Sequence, residues 1–303
     1  MKNGKISNFC QVGGVKQYVM ENGAAQGLRV IECDNGKLRF LLNVSKALDI
    51  MQVFYEGKNI SFVSKNGFMA RELPFGKRFE GGMLYTCGLD GIGAVDGVEL
   101  HGNLHCTPAT VTRAECTDEG IVIESYTTHT ALFGNVLTLK RKIFSRFNSD
   151  KIELEDTLFN EGTKVAPYCL LYHVNLGYPM LDEGGRVEIK AENVSARSDW
   201  AIENLSAWSQ ISAPVDNEAE MCYYIDNEDG KAVYVNDKQR KRFVLEYSKE
   251  TLPCFVLWKS MASGDYALGL EPCTSFLDDG FAYRELGVGE RKTFRLSLSL
   301  ETF

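Results

Sequence analysis

The sequence predicts an all-β protein built from two large, mostly antiparallel sheets packed face to face. Three observations carry this expectation. Apolar residues recur at every second position through much of the chain, the spacing that puts alternate side chains on one face of a sheet. Helical periodicity is scarce, which leaves no crossover helices for parallel βαβ units. The strands are also too many for one open sheet, which would curl or split, and no Pro/Ser-rich linker divides them.

The C-terminal segment shows the alternation most cleanly, with Phe294, Leu296, Leu298 and Leu300 separated by Arg295, Ser297 and Ser299. The same pattern marks strands at 121–126, 136–144, 152–159, 187–190, 232–236, 243–247 and 254–258. Residues 53–55 and 60–63 flank Glu56-Gly57-Lys58-Asn59, which reads as a hairpin turn because Gly and Asn tolerate positive φ. A turn or two of helix is expected at 14–20 and at 45–50. We read the 303 residues as one domain, with roughly the first 35 as a peripheral extension.

Composition excludes several function classes. Lys and Arg number 33 against 41 Asp and Glu, a net charge of −8 that repels a phosphate backbone, and no basic run is longer than the short Lys238–Arg242. Nucleic acid is therefore not an expected partner. No segment approaches the ~18 consecutive apolar residues of a spanning helix, and Met1–Ile6 lacks the apolar core of a signal peptide, so no membrane association and a cytoplasmic location are expected. The nine cysteines are dispersed without a C-x-x-C pair, as expected of reduced, small core residues.

Histidine is the side chain whose ordinary pKa lies nearest neutrality, and there are four: His101, His105, His129 and His173. His129 ends an alternating strand and reads as a surface or structural residue. His101 and His105 lie in Leu100-His101-Gly102-Asn103-Leu104-His105, just after the glycine-rich Thr86–Gly93. On an extended strand they would share a face, which leaves metal ligation, a polar substrate contact and structural hydrogen bonding all open. His173 lies in Leu171-Tyr172-His173-Val174-Asn175-Leu176-Gly177-Tyr178-Pro179, where His173, Asn175 and Leu171 fall on one face. There the choice is between a satisfied core histidine and a functional one. Glu271 closes the apolar Leu268-Gly269-Leu270 just before Pro272, so it is either solvated at a rim or placed in a site.

Leu100-His101-Gly102, Leu171–Pro179 with Leu181-Asp182-Glu183-Gly184, and Gly269-Leu270-Glu271-Pro272, in this order, resemble the aldose 1-epimerase (galactose mutarotase-like) superfamily. More narrowly they resemble its branch known as domain of unknown function 4432, as do Thr86–Gly93 and Trp258-Lys259, the likeness running from about Leu38 to the C-terminus. The resemblance implies a β-supersandwich whose concave face holds a small-molecule carbohydrate. It implies His173 as general acid, Glu271 as general base and His101 as a sugar ligand. The arginine upstream of the Leu-His-Gly motif matches Arg78. We add His105, Asn175, Asp182, Trp258 and Lys259 as expected substrate contacts. Arg78 and Lys259 are the cations to meet any anionic sugar.

Mutarotation needs one group to take a proton from the anomeric hydroxyl and another to protonate the ring oxygen, so no cofactor and no metal is expected. At ordinary pKa values Glu271 is a carboxylate at pH 7, and a modest rise would protonate His173. Two alternatives share the residues: a sugar-binding protein without turnover, and a metal-dependent β-sandwich enzyme with His101, His105, His173 and Glu271 as ligands. The sequence is compatible with a monomer or a homodimer.

Overall fold

The computed structural model describes residues 4–95, 97–277 and 281–303. All ladders between strands in this set are antiparallel, and they form three sheets of five, eight and seven strands. The eight-stranded sheet runs in the order Arg186–Glu188, Lys231–Asn236, Lys241–Tyr247, Arg291–Thr302, Lys151–Asn160, Val136–Arg146, Gly120–Thr130 and Thr110–Cys116. In the seven-stranded sheet the order is Ala191–Ala196, Met221–Asn227, Cys254–Ser260, Ala267–Cys273, Ala166–Gly177 and Arg284–Leu286, and Leu84–Leu89 also pairs with Ala166–Gly177. These are the two large sheets expected.

One core joins them. Tyr172 and Phe294 meet across it at 6.4 Å between ring centroids, and Tyr247 and Phe255 at 5.7 Å. The strand Ala166–Gly177 is buried on both faces because both are covered. Leu170, Tyr172, Val174 and Leu176 enter the inter-sheet core, whereas Cys169 and Leu171 join Tyr85, Cys87, Val256 and Cys273 in a second apolar cluster on the far face. The functional candidates lie on that far face.

The smaller sheet was not anticipated as a separate unit. It consists of Gly14–Val19, Arg29–Asp34, Leu38–Asn43, Asp49–Tyr55 and Lys58–Asn59. The two expected helical turns are absent from 14–20 and 45–50, which hold a strand, a turn and the start of another strand. Neighbouring strands supply the hydrogen bonds there, overriding a weak local pattern. The first 35 residues are also less peripheral than expected, since Ile31 and Cys33 lie in the main core. The hairpin turn is tighter than the tetrapeptide predicted: Glu56 and Gly57 carry the positive φ angles, 50° and 77°, and Lys58–Asn59 is already a strand. Among the described residues no helix is long and apolar enough to cross a membrane.

Candidate functional site

A cavity of about 620 Å³ opens on the far face of the seven-stranded sheet, within the size range of small-molecule sites. His173 and Glu271 both line it. Their strands pair so that Leu171 faces Cys273 and Asn175 faces Gly269, a register that sets His173 directly across from Glu271. His173 Nε2 and Glu271 Oε1 stand 3.2 Å apart, both side chains almost fully buried.

Gly269 makes this approach possible. It sits two residues before Glu271, on the same face, and across from Asn175 and Trp258. A Cβ there would lie 2.5 Å from Glu271 Oε1, 3.0 Å from His173 Cε1 and 3.1 Å from Trp258 Cε3. The absent side chain leaves the space that the reactive pair occupies.

Aromatic rings enclose the pair. Trp258 lies 5.4 Å and Phe79 5.5 Å from His173 between centroids, and Phe75 packs 5.0 Å from Phe79 and 4.8 Å from His101. Trp258 Nε1 donates to Glu220 Oε2 at 2.8 Å, which fixes the indole plane. His101 has φ +66°, and its Nδ1 meets the Ile92 carbonyl at 2.9 Å. A carbonyl only accepts, so Nδ1 carries the proton and Nε2 keeps its lone pair.

Burial governs the electrostatics. It lowers His173 to about 3, with the neighbouring His101 adding to the shift and Asn175 opposing it. Burial likewise raises Glu271 well above the usual carboxylate range, reinforced by Glu220 and opposed by Arg197. His101 falls to about 4, again chiefly through burial. The sequence-based expectation of a carboxylate facing an imidazolium is thus reversed: burial favours the uncharged form of each group, the carboxyl of Glu271 and the neutral imidazole of His173.

Residues 25–300 match the family model described as Domain of unknown function (DUF4432). The chain belongs to that family. No curated protein matches it in sequence. Among solved structures, it is similar to a candidate aldose 1-epimerase from Klebsiella pneumoniae, with TM-score 0.85 at 23% identity over 94% of this chain and 83% of the other. A galactose mutarotase-like protein from Clostridium acetobutylicum gives 0.69 at 15% identity over 97% and 100%. A candidate mutarotase from Salmonella typhimurium gives 0.70 at 11% identity over 96% and 94%. The fold is therefore the galactose mutarotase-like β-supersandwich.

In this DUF4432 chain, His101, His173, Trp258 and Glu271 line one cavity and the other expected contacts do not. His105 does not share a face with His101, because the segment is a loop that reverses at His101 and Gly102. Its Nδ1 instead meets Asp49 Oδ2 at 2.7 Å, and its ring stacks 3.7 Å from Tyr85. Arg78 braces the cavity wall from behind, donating to the carbonyls of Leu73 and Gly102 and to Glu99 Oε1 at 3.1–3.3 Å. Asn175 shares the face of His173 but donates to the carbonyls of Gly82 and His173 itself. Lys259 follows Trp258 on one strand and so points to the opposite face, where Nζ donates to the carbonyls of Ala207 and Gln210. Asp182 pairs with Lys238 and binds the Tyr234 hydroxyl through its amide, away from the cavity. Among the described residues no group of three or more His, Cys, Asp or Glu is arranged to hold a metal ion.

Sequence reasoning missed Phe75, Phe79, Arg197, Glu220 and Gly269, although Gly269 stands inside a segment it singled out. It also missed a buried charged network beneath the site. Arg141 donates to Asp156 at 2.7 and 2.9 Å, to Asp49 at 2.5 Å and to the Thr86 hydroxyl at 2.9 Å, and the Tyr172 hydroxyl donates to Asp156 at 2.8 Å. Asp49, Arg141 and Tyr172 come from the three different sheets, so the network ties them together directly behind His173. Burial alone would raise Asp49, but Arg141 and His105 hold it below the usual carboxylate range.

Proposed function

We propose that this protein is a carbohydrate isomerase of the aldose 1-epimerase type, interconverting the anomers of a monosaccharide by acid/base ring opening. The observation that carries the reading is the buried His173–Glu271 pair, 3.2 Å apart at the floor of an aromatic-walled cavity. The likeness to a candidate aldose 1-epimerase supports it at the level of the fold.

The pair holds one proton, and so always offers one donor and one acceptor. Before a sugar binds, burial favours that proton on Glu271. A sugar hydroxyl donating to Glu271 favours the carboxylate, and the proton then passes to His173, whose imidazolium faces the new charge. Glu271 next takes the proton of the anomeric hydroxyl as the bond between C1 and the ring oxygen breaks, and His173 Nε2 protonates that oxygen. The C1–C2 bond of the open aldehyde rotates, and the same transfers in reverse close the other anomer. No atom is gained or lost. His101 Nε2 accepts a hydrogen bond from a ring hydroxyl, and Trp258 offers its face to the apolar side of the sugar.

The reading is tested by two-dimensional exchange NMR on a panel of free monosaccharides, with and without purified protein. Accelerated α/β exchange is the expected result. Sugar-dependent thermal stabilisation without faster exchange would instead support a binding protein that lacks turnover.

A further inference from the structure

We infer, on the basis of the mutarotase reading, that the cavity selects 6-deoxyhexopyranoses over the parent hexoses. In that reading the ring oxygen lies against His173. The next ring atom, C5, carries the exocyclic carbon, so C6 falls among the side chains flanking His173. These are Trp258 at 5.4 Å, which the proposed binding mode gives to the apolar face of the sugar, Phe79 at 5.5 Å and His101 at 5.8 Å, with Phe75 packed against the last two.

Polar side chains beside this corner are engaged with the protein. Ser64 Oγ and Asn66 Nδ2 both donate to the Phe79 carbonyl, at 2.5 and 3.0 Å. Lys65 pairs with Asp265 at 2.6 Å. Arg78, the cation expected to reach the sugar, is turned away onto Glu99 and two backbone carbonyls. In the proposed binding mode the His101 acceptor serves a ring hydroxyl.

A C6 hydroxyl lowered into the Phe75–Phe79 corner therefore gives up water against aromatic surface, whereas a C6 methyl buries there favourably. The corner is held in place for this purpose by its own bonds. The Phe75 amide donates to Glu99 Oε1 at 2.9 Å, which holds its backbone, and the ring itself packs against Phe79, Tyr85 and His101.

The test compares kcat/KM for anomer exchange within pairs that differ only at C6: D-galactose with D-fucose, D-glucose with 6-deoxy-D-glucose, and L-galactose with L-fucose. In the pair of the accepted configuration, the 6-deoxy sugar should be favoured by about five-fold or more, the size expected from stranding one hydroxyl. Phe75→Ser, checked for an unchanged melting transition, should draw that ratio toward one. Equal rates within the pair, or a preference for the parent hexose, overturn the inference while leaving the mutarotase reading intact. A ratio that Phe75→Ser does not change also overturns it. Failure to accelerate any of the six sugars overturns both.

Discussion

His173 and Glu271 are cross-strand neighbours, opposite one another on adjacent antiparallel strands with Nε2 and Oε1 3.2 Å apart. The spacing of the pair is set by a β-ladder. Groups held on strands are positioned more tightly than groups on loops, as proton transfer over one hydrogen-bond length requires. Each of the following expectations derives from this pair or from what holds it.

Gly269→Ala should damage turnover far more than folding. The new methyl would lie 2.5 Å from Glu271 Oε1, so the carboxylate must shift off His173. A misplacement of about 1 Å costs on the order of 100-fold in rate. The expected outcome is a fall in kcat of about that size with KM little changed. Circular dichroism should show the β-fold retained.

The pH profile should be broad, and it should not break at the ordinary histidine value. The competent pair holds one proton. It gains a second only as pH falls toward the value of about 3 to which burial lowers His173, and it loses its proton only above the raised value of Glu271. Accordingly kcat/KM should stay level above the lowered His173 value and decline as pH rises through the raised value of Glu271. An inflection near 6.5 would mean that His173 titrates as a solvated imidazole.

Glu271→Gln should stabilise the protein at neutral and higher pH. A carboxyl whose folded pKa is raised contributes stability that is complete below its unfolded value, near 4.5, and is lost as pH rises through the folded value. The amide does not pay that cost. Thermal melting from pH 4 to pH 9 should show the variant's advantage growing with pH. A constant difference across the range would contradict the direction assigned to Glu271.

Arg141→Met should cost about 3–5 kcal/mol, because it leaves Asp49 and Asp156 buried without their cation. Urea denaturation measures this directly. His105 is raised because Asp49 and Glu80 outweigh its burial, so its contribution is present below about pH 6.5 and is lost as pH rises through the raised value. His105→Gln should therefore lose most stability, relative to the native protein, on the acid side. Its KM should stay unchanged, as expected of a residue outside the cavity.

Much of the fold was legible in the sequence because the eight-stranded sheet alternates cleanly, as in Phe294–Leu300. The first sheet was less so. Gly14–Val19 and the turn before Asp49 are shaped by neighbours distant in sequence, which no local pattern contains. At the site, period two correctly put His173, Leu171 and Asn175 on one face. The same rule would have separated Lys259 from Trp258, and applied to Gly269 and Glu271 it would have exposed the cleared space. His105 was misplaced because His101 and His105 sit on a loop, where strand periodicity does not apply. Arg141 and Asp156 carried a readable signal, since each interrupts an apolar face: Arg141 between Leu139 and Ile143, Asp156 between Leu154 and Leu158. What the sequence could not supply was the effect of burial, which places the resting proton on Glu271.

The most direct test of the account measures α/β exchange of an accepted monosaccharide by NMR for the native protein, Glu271→Gln and His173→Asn side by side. Each variant should retain its fold by thermal melting and lose about 10²–10⁴-fold in rate, the usual contribution of one positioned acid or base. Exchange at the native rate in either variant would contradict the role given to the pair.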